Sequence, residues 1–332
     1  MNKIALTSSE IAGLWSTYIQ DSMAKCILQY FQHHVKDTEI HKVVTEALTL
    51  SQNHVMQITK IFHSESFPIP HGFSESDINL SAKPLFHDPY VLSFVYGMSR
   101  MGMINYPFIT STISRSDVLQ FFVAANKSTT DLYQRCVNLM LTKGIYDRPI
   151  KMNYPKQAEY IQKHGFISGM LGHKRPLNAI ELTEIFVRIE RNYFAVILLL
   201  GFLQVVKDKE IKQYLIQGKG LCDEQINWLN ELLVKEDLLG TVPVTMEVAD
   251  SVESPFSDKL ILSLIYLLNQ IDISLVGHAL SLSMRTDLSA HYSYLITKIL
   301  AYTKDGYDLM VDRQWLEQPP LATDRKELIG KS

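Results

Sequence analysis

The residues of this chain best able to do chemistry are its eleven histidines and its carboxylates. His33 and His34 are adjacent, and His41, His54, His63, His71 and His87 follow close behind. In a helical bundle, the pattern that turns such residues into a metal centre is Glu-x-x-His. Positions three apart share a helix face, so a carboxylate and an imidazole reach one ion. No Glu-x-x-His occurs anywhere in the 332 residues. The nearest approximation is Glu46 with His54, but that separation is a helical rise of about 12 Å, too long for one ion. Cys26, Cys136 and Cys222 are scattered, without CxxC spacing. They fit a reducing compartment better than a zinc site or a disulfide framework. No nucleophile elbow, phosphate-binding glycine loop or dinucleotide fingerprint is present.

Composition narrows the field further. The chain is 46% hydrophobic and 20% charged, with a formal charge of −3, which offers no basic face for nucleic acid. The opening MNKIALTSSEIAGLW lacks an apolar core followed by a small-residue cleavage site, so no signal peptide is expected. The most apolar run, FAVILLLGFLQVV at residues 194–206, is too short to span a bilayer.

The elements that would position any site come from an internal repeat. The phrase VKDTEI at residues 35–40 returns as VKDKEI at residues 206–211. Shifting the chain by 171 matches Leu6 with Leu177, Glu10 with Glu181, Ala24 with Ala195, Leu28 with Leu199 and Phe31 with Phe202. The last three pairs recur at helical steps, as one buried stripe does. A shift of 170 matches Asp88/Asp258, Ser93/Ser263, Tyr96/Tyr266, Arg115/Arg285, Asp117/Asp287 and Met140/Met310. So long a period signifies duplicated domains rather than a solenoid.

Within copy one, helical periodicity predicts helices at 8–34, 38–63, 89–112 and 117–143, and no strands. Short connections make two antiparallel hairpins, and a Pro- and Ser-rich stretch of more than twenty residues joins them. The fold class is therefore all-α: two tandem ferritin-like four-helix bundles, each two hairpins with one long crossover. The predicted boundaries are 1–149 for bundle one, 150–176 for a linker, 177–320 for bundle two and 321–332 for a tail. The linker is expected to hold a short helix over 155–164, then a glycine-rich apolar turn. Residues 194–206 are apolar on every face and require partners all round, from the other bundle or a second chain.

The acids kept in both copies have a structural reading. Thr7-x-x-Glu10 and Asn178-x-x-Glu181 spell capping boxes, and Asp37 and Asp208 stand where the second helix of each bundle needs a cap. Asp88/Asp258 and Asp117/Asp287 open helices three and four in the same way. No histidine is kept: His54 aligns with Gln225, for example. Ser93/Ser263, Tyr96/Tyr266 and Arg115/Arg285 are kept without being caps and are expected to form a polar network, with a ligand site as the alternative. Met98, Met101 and Met103, with Tyr106 and Phe108, make a soft patch on helix three, which reads as core or as a pocket for an apolar ligand.

The stretches LTSSEIAGLWSTYIQDSMAKCILQYF, SMRTDLSAHY, DGYDLMVDRQWLEQPP and GHKRPLNAIE resemble domain-of-unknown-function family 3231, tandem ferritin-like proteins of spore-forming bacilli. The resemblance runs from Leu6 to about Pro320. It implies a duplicated ferritin-like fold, cytosolic synthesis and a loose kinship with spore coat proteins of similar bundles. It brings no reaction and no catalytic residues.

The reading is thus of a non-catalytic structural or interaction protein, associated with sporulation or the spore coat. No catalytic, cofactor-binding or metal-ligating residue is assigned, and no cofactor is expected. The expected partners are other proteins, a second copy as a homodimer, or an apolar small molecule; nucleic acid and a membrane span are not expected. Two alternatives stay open: an atypical carboxylate-bridged metal oxidase or metal store, and a binder of an apolar small molecule in a bundle core.

Overall fold

The computed structural model describes residues 4–162, 164–167, 174–241 and 248–330. Bundle one is α1 (Ser8–His34), α2 (Thr38–Ser64), α3 (Asp88–Thr110) and α4 (Ser116–Thr142). Bundle two is α5 (Ala179–Val205), α6 (Lys209–Lys235), α7 (Asp258–Leu282) and α8 (Thr286–Asp312), followed by a short α9 (Arg325–Gly330) in the tail. Among the described residues there is no strand beyond two isolated bridges. Each bundle is two hairpins joined by one long crossover, the wiring expected from the connection lengths.

The kept acids act at helix ends, with more reach than local caps. Asp37 accepts from the N–H groups of Glu39 (2.9 Å) and Ile40 (3.1 Å), and Asp208 does the same for Glu210 (2.9 Å) and Ile211 (3.0 Å). These donors have no partner inside their own helix. Lys143 beside Asp37, together with the backbone donors, holds that carboxyl below its ordinary range. Asp37→Ala or Asp208→Ala is expected to lower stability by about 0.5–2 kcal/mol, whereas Asn, which also caps, retains most of it. Urea melts of the two pairs of variants check this; equal damage from Ala and Asn would refute a capping role. Asp88 is not the cap of its own helix. It reaches back to the N–H groups of Lys36 (3.1 Å) and Asp37 (2.7 Å), bracing the α1–α2 turn against α3.

The predicted linker helix over 155–164 does not form. Residues 155–162 are irregular, and a 3-10 turn at His164–Ile167 follows instead. The physical reason is exposure: Tyr154, Tyr160 and Ile161 face solvent, and so short a helix with nothing to pack on is marginal in water. The apolar turn expected after it falls largely on 168–173, outside the described residues.

The two bundles share one core. Its buried residues come from all four helices and the crossover of each bundle. Each bundle then has a smaller cluster at its far end, around Leu14, Ile58, Phe62 and Phe122 in one and Ile185, Leu229, Leu233 and Tyr292 in the other. The crossovers run against each other across the seam, with bridges Ile78 to Phe256 and Phe86 to Val248. A shift of 170 turns the first bridge into the second. The bond from Asn79 N–H to the Pro255 carbonyl (2.8 Å) likewise becomes that from Ala249 N–H to Leu85 (2.9 Å). Such reciprocity is the mark of a two-fold contact, here between two halves of one chain.

The apolar run at 194–206 meets bundle one as required. Phe194 stacks on Tyr90 with centroids 5.0 Å apart, and Phe202 lies edge-on to Phe86. Gly201 is needed there, because a Cβ would stand 2.6 Å from the Phe86 ring. One position is turned outward: Leu200 is 39% exposed, so a charge there would not disturb the seam.

Among the described residues, α7 is long and apolar enough to cross a membrane by length and composition. Asn269, Gln270 and Asp272 interrupt its apolar run. Its first half lies in the shared core and Asp272 is paired with a buried arginine, which together account for its composition.

Candidate functional site

Between α1 and α3 of one bundle and α5 and α7 of the other lies a cavity of about 170 Å³. Its walls are drawn from both copies at equivalent positions: Met23 and Phe194, Phe94 and Leu264, Gly97 and Leu267, Met98 and Leu268, Met101 and Ile271. The cavity therefore sits on the approximate two-fold axis that relates the bundles. Gly97 is informative. A Cβ there would meet nothing within 4 Å, so this mid-helix glycine borders open space rather than a neighbouring backbone.

The walls are apolar, but one end is charged. Arg100 of α3 pairs with Glu190 of α5 at 2.8 Å, joining the bundles beside the cavity. Burial raises the Glu190 carboxyl despite this arginine. Next to it, Arg191 lines the cavity, and its Nε is buried without a hydrogen-bond acceptor. Its nearest carboxylate, Asp272, stands 3.6 Å away and is already held by Arg188. Burial, with Arg188 and Arg100 nearby, lowers the Arg191 pKa. Ser93, also in the wall, is buried with its hydroxyl unpartnered. The positions equivalent to Arg100, Glu190 and Arg191 are Gln270, Ile19 and Gln20, so the charge breaks the two-fold.

A polar layer crosses each bundle between its two apolar clusters. In bundle one, Asp21 of α1 meets His54 Nδ1 of α2 at 3.0 Å, with the Tyr106 hydroxyl 3.4 Å from both. In bundle two the same level holds Asn192, Gln225 and a fully buried Arg188, which binds Gln225 and forks onto Asp272 (Nη2 to Oδ2, 3.0 Å). Burial would raise Asp272, yet Arg188 holds it below the usual carboxylate range. Among the described residues, no three His, Cys, Asp or Glu side chains converge as a metal site would require.

The family model for a protein of unknown function, domain-of-unknown-function family 3231, matches residues 1–157 and again residues 165–328. The chain belongs to that family. It is also similar to a solved structure from Bacillus halodurans C-125 described as a "putative spore coat protein". The identity is 18%, over 45% of this chain and 98% of that one, with a TM-score of 0.41. No curated protein matches it.

The residues singled out in the sequence of this family 3231 chain scatter in instructive ways. Met98, Met101 and Tyr106 of the soft patch do line the cavity, while Phe108 is 76% exposed. Glu46 points away from His54 and pairs with Arg135 on the surface. His34 packs on Tyr30 and reaches the Leu80 carbonyl at 3.1 Å, a structural role. Arg115 and Arg285 form matched forks, to Asp117 and Glu65 and to Asp287 and Glu236. Among the described residues, the hydroxyls of Ser93 and Ser263 have no hydrogen-bond partner, contrary to the network expected of them. The meeting of Asp21 with His54 and the arginines at the cavity end escaped the sequence reading. The available signal was charge inside apolar helices, as with Asp272 in the run LILSLIYLLNQIDISLV.

Proposed function

We propose that this chain is a non-catalytic binding protein that seats an apolar small molecule between its two bundles. The observation that carries the reading is the on-axis cavity with its apolar walls and the vacant space beside Gly97. Of the other readings, a metal store or oxidase is opposed in bundle two by Arg188, a buried cation where a bundle centre would need to attract one. The ferritin-like kinship and the sporulation setting belong to the same proposal, supported by the family resemblance in the sequence. Immunoblots of spores and vegetative cells check the setting; absence from spores would remove it without touching the cavity.

Gly97→Phe tests the binding directly. The ring has open space to enter, and replacing a mid-helix glycine favours the helix by several tenths of a kcal/mol. The expected result is a melting temperature unchanged or raised, with affinity for the neutral fluorophore N-phenylnaphthylamine reduced by about tenfold or more. Wild-type affinity in this variant would place the probe elsewhere and overturn the reading.

A further inference from the structure

Resting on that reading, we infer that the ligand is an aliphatic monocarboxylic acid, its tail among the methionines and leucines and its carboxylate against Arg191. Two buried polar groups in the cavity wall lack partners, the Arg191 Nε and the Ser93 hydroxyl, and each can donate. Buried donors are normally satisfied, so the unpaired Arg191 Nε at the charged end is where an acceptor on a ligand would be held. The neighbouring acids are taken. Glu190 is bound by Arg100 at 2.8 Å, Asp21 by His54 at 3.0 Å, and Asp147 also has a partner. Asp272 is forked by Arg188 and approaches Arg191 no closer than 3.6 Å. Arg188 and Arg191 thus share the Asp272 carboxylate, with Arg191 the more distant of the two. Its Nη1 lies 3.6 Å from the Met101 sulfur. A carboxylate supplies the charge and the acceptor together, and a planar guanidinium is the group best shaped to receive it. Met23, Ile27, Phe94, Met98, Leu264 and Leu268 offer an alkyl chain apolar contact. The lopsided charge, with Gln20 where Arg191 has its counterpart, gives the ligand one head end and one tail end.

The test is displacement of N-phenylnaphthylamine from the full chain by decanoate, decanol and decylamine, each below its micelle concentration. Decanoate is expected to compete at about tenfold lower concentration than the other two, the size of effect a charge-assisted bond confers. Arg191→Gln, which installs the residue found at the equivalent position of copy one, is expected to erase that preference while leaving decanol unchanged. Equal competition by decanol and decanoate in the wild type, or preference for decylamine, would overturn the carboxylate assignment while the apolar site stands. A probe that is bound but displaced by none of the three also refutes it. No probe binding at all would bring down both.

Discussion

Glu181→Ala is expected to destabilise the protein by about 3–5 kcal/mol, the penalty for stranding a buried cation and several donors at once. The carboxylate is completely buried. One oxygen accepts from Asn178 N–H at 3.1 Å, closing the box at the start of α5. The other accepts from the N–H groups of Met284 (3.2 Å) and Arg285 (3.1 Å) at the start of α8, and Arg175 binds both oxygens at 2.8 Å. One side chain therefore terminates two helices and neutralises an arginine. Glu10 does the same for α1 and α4 through Thr7, Ser114 and Arg115, but has Ile4 where Arg175 would stand. Glu10→Ala should accordingly cost less, about 2–3 kcal/mol. Burial alone would raise the Glu10 carboxyl, yet its backbone donors hold it at about 2. A depressed folded-state value contributes stability that is present above the ordinary carboxylate range, near 4.5, and is lost as pH falls toward 2. Urea unfolding at neutral pH and again at decreasing pH measures both effects. A loss under about 1 kcal/mol for Glu181→Ala would reduce these carboxylates to ordinary surface caps.

Phe86→Ala and Phe256→Ala should each cost about 3–5 kcal/mol and turn one unfolding transition into two. These are equivalent residues of the two crossovers, and each reaches across the seam. Phe86 stacks on Tyr90 at 4.6 Å and abuts Gly201, while Phe256 lies 5.2 Å from Tyr30 and 6.3 Å from Phe202. Both are almost fully buried. Truncating either opens a void where no backbone can close in, because the bridges at Ile78 and Phe86 pin the crossovers on both sides. Phe108→Ala, at an exposed ring, is the control and should stay within about 0.5 kcal/mol. Calorimetry decides the matter: a single transition shifted by less than a few degrees would mean the bundles are held together elsewhere.

The bundles were legible in the sequence because their cues are local or periodic. Leu28, Phe31 and their counterparts Leu199 and Phe202 repeat at helical spacing, and Asp37 and Asp208 punctuate the hairpins. Long crossovers announced themselves by proline, serine and sheer length. The site was less legible because its parts are far apart in the chain. Asp21 and His54 come from different helices, and the 90 positions from Arg100 to Glu190 carry no periodic signal. Met98 and Met101 were visible as a patch, but only the second bundle shows that the patch faces a space rather than filling a core. The unpartnered hydroxyls of Ser93 and Ser263 could not be foreseen either, since spacing says which face a serine occupies and not what lies opposite it.

The reciprocal bridges have a consequence for specificity. A cavity on the axis of a true homodimer must be lined identically from both sides, so a ligand with distinct ends could lie there in two equivalent directions. Any arginine introduced at one end would appear at the other, and an acidic guest would always leave one copy of it unanswered. Joining the two halves in a single chain removes that constraint. Arg191 can face Gln20, and Glu190 can occupy a position where its twin is Ile19. Tethering thus allows the pocket to acquire polarity: a guest bound there would have one preferred orientation, and each half is free to evolve without carrying its mirror image along.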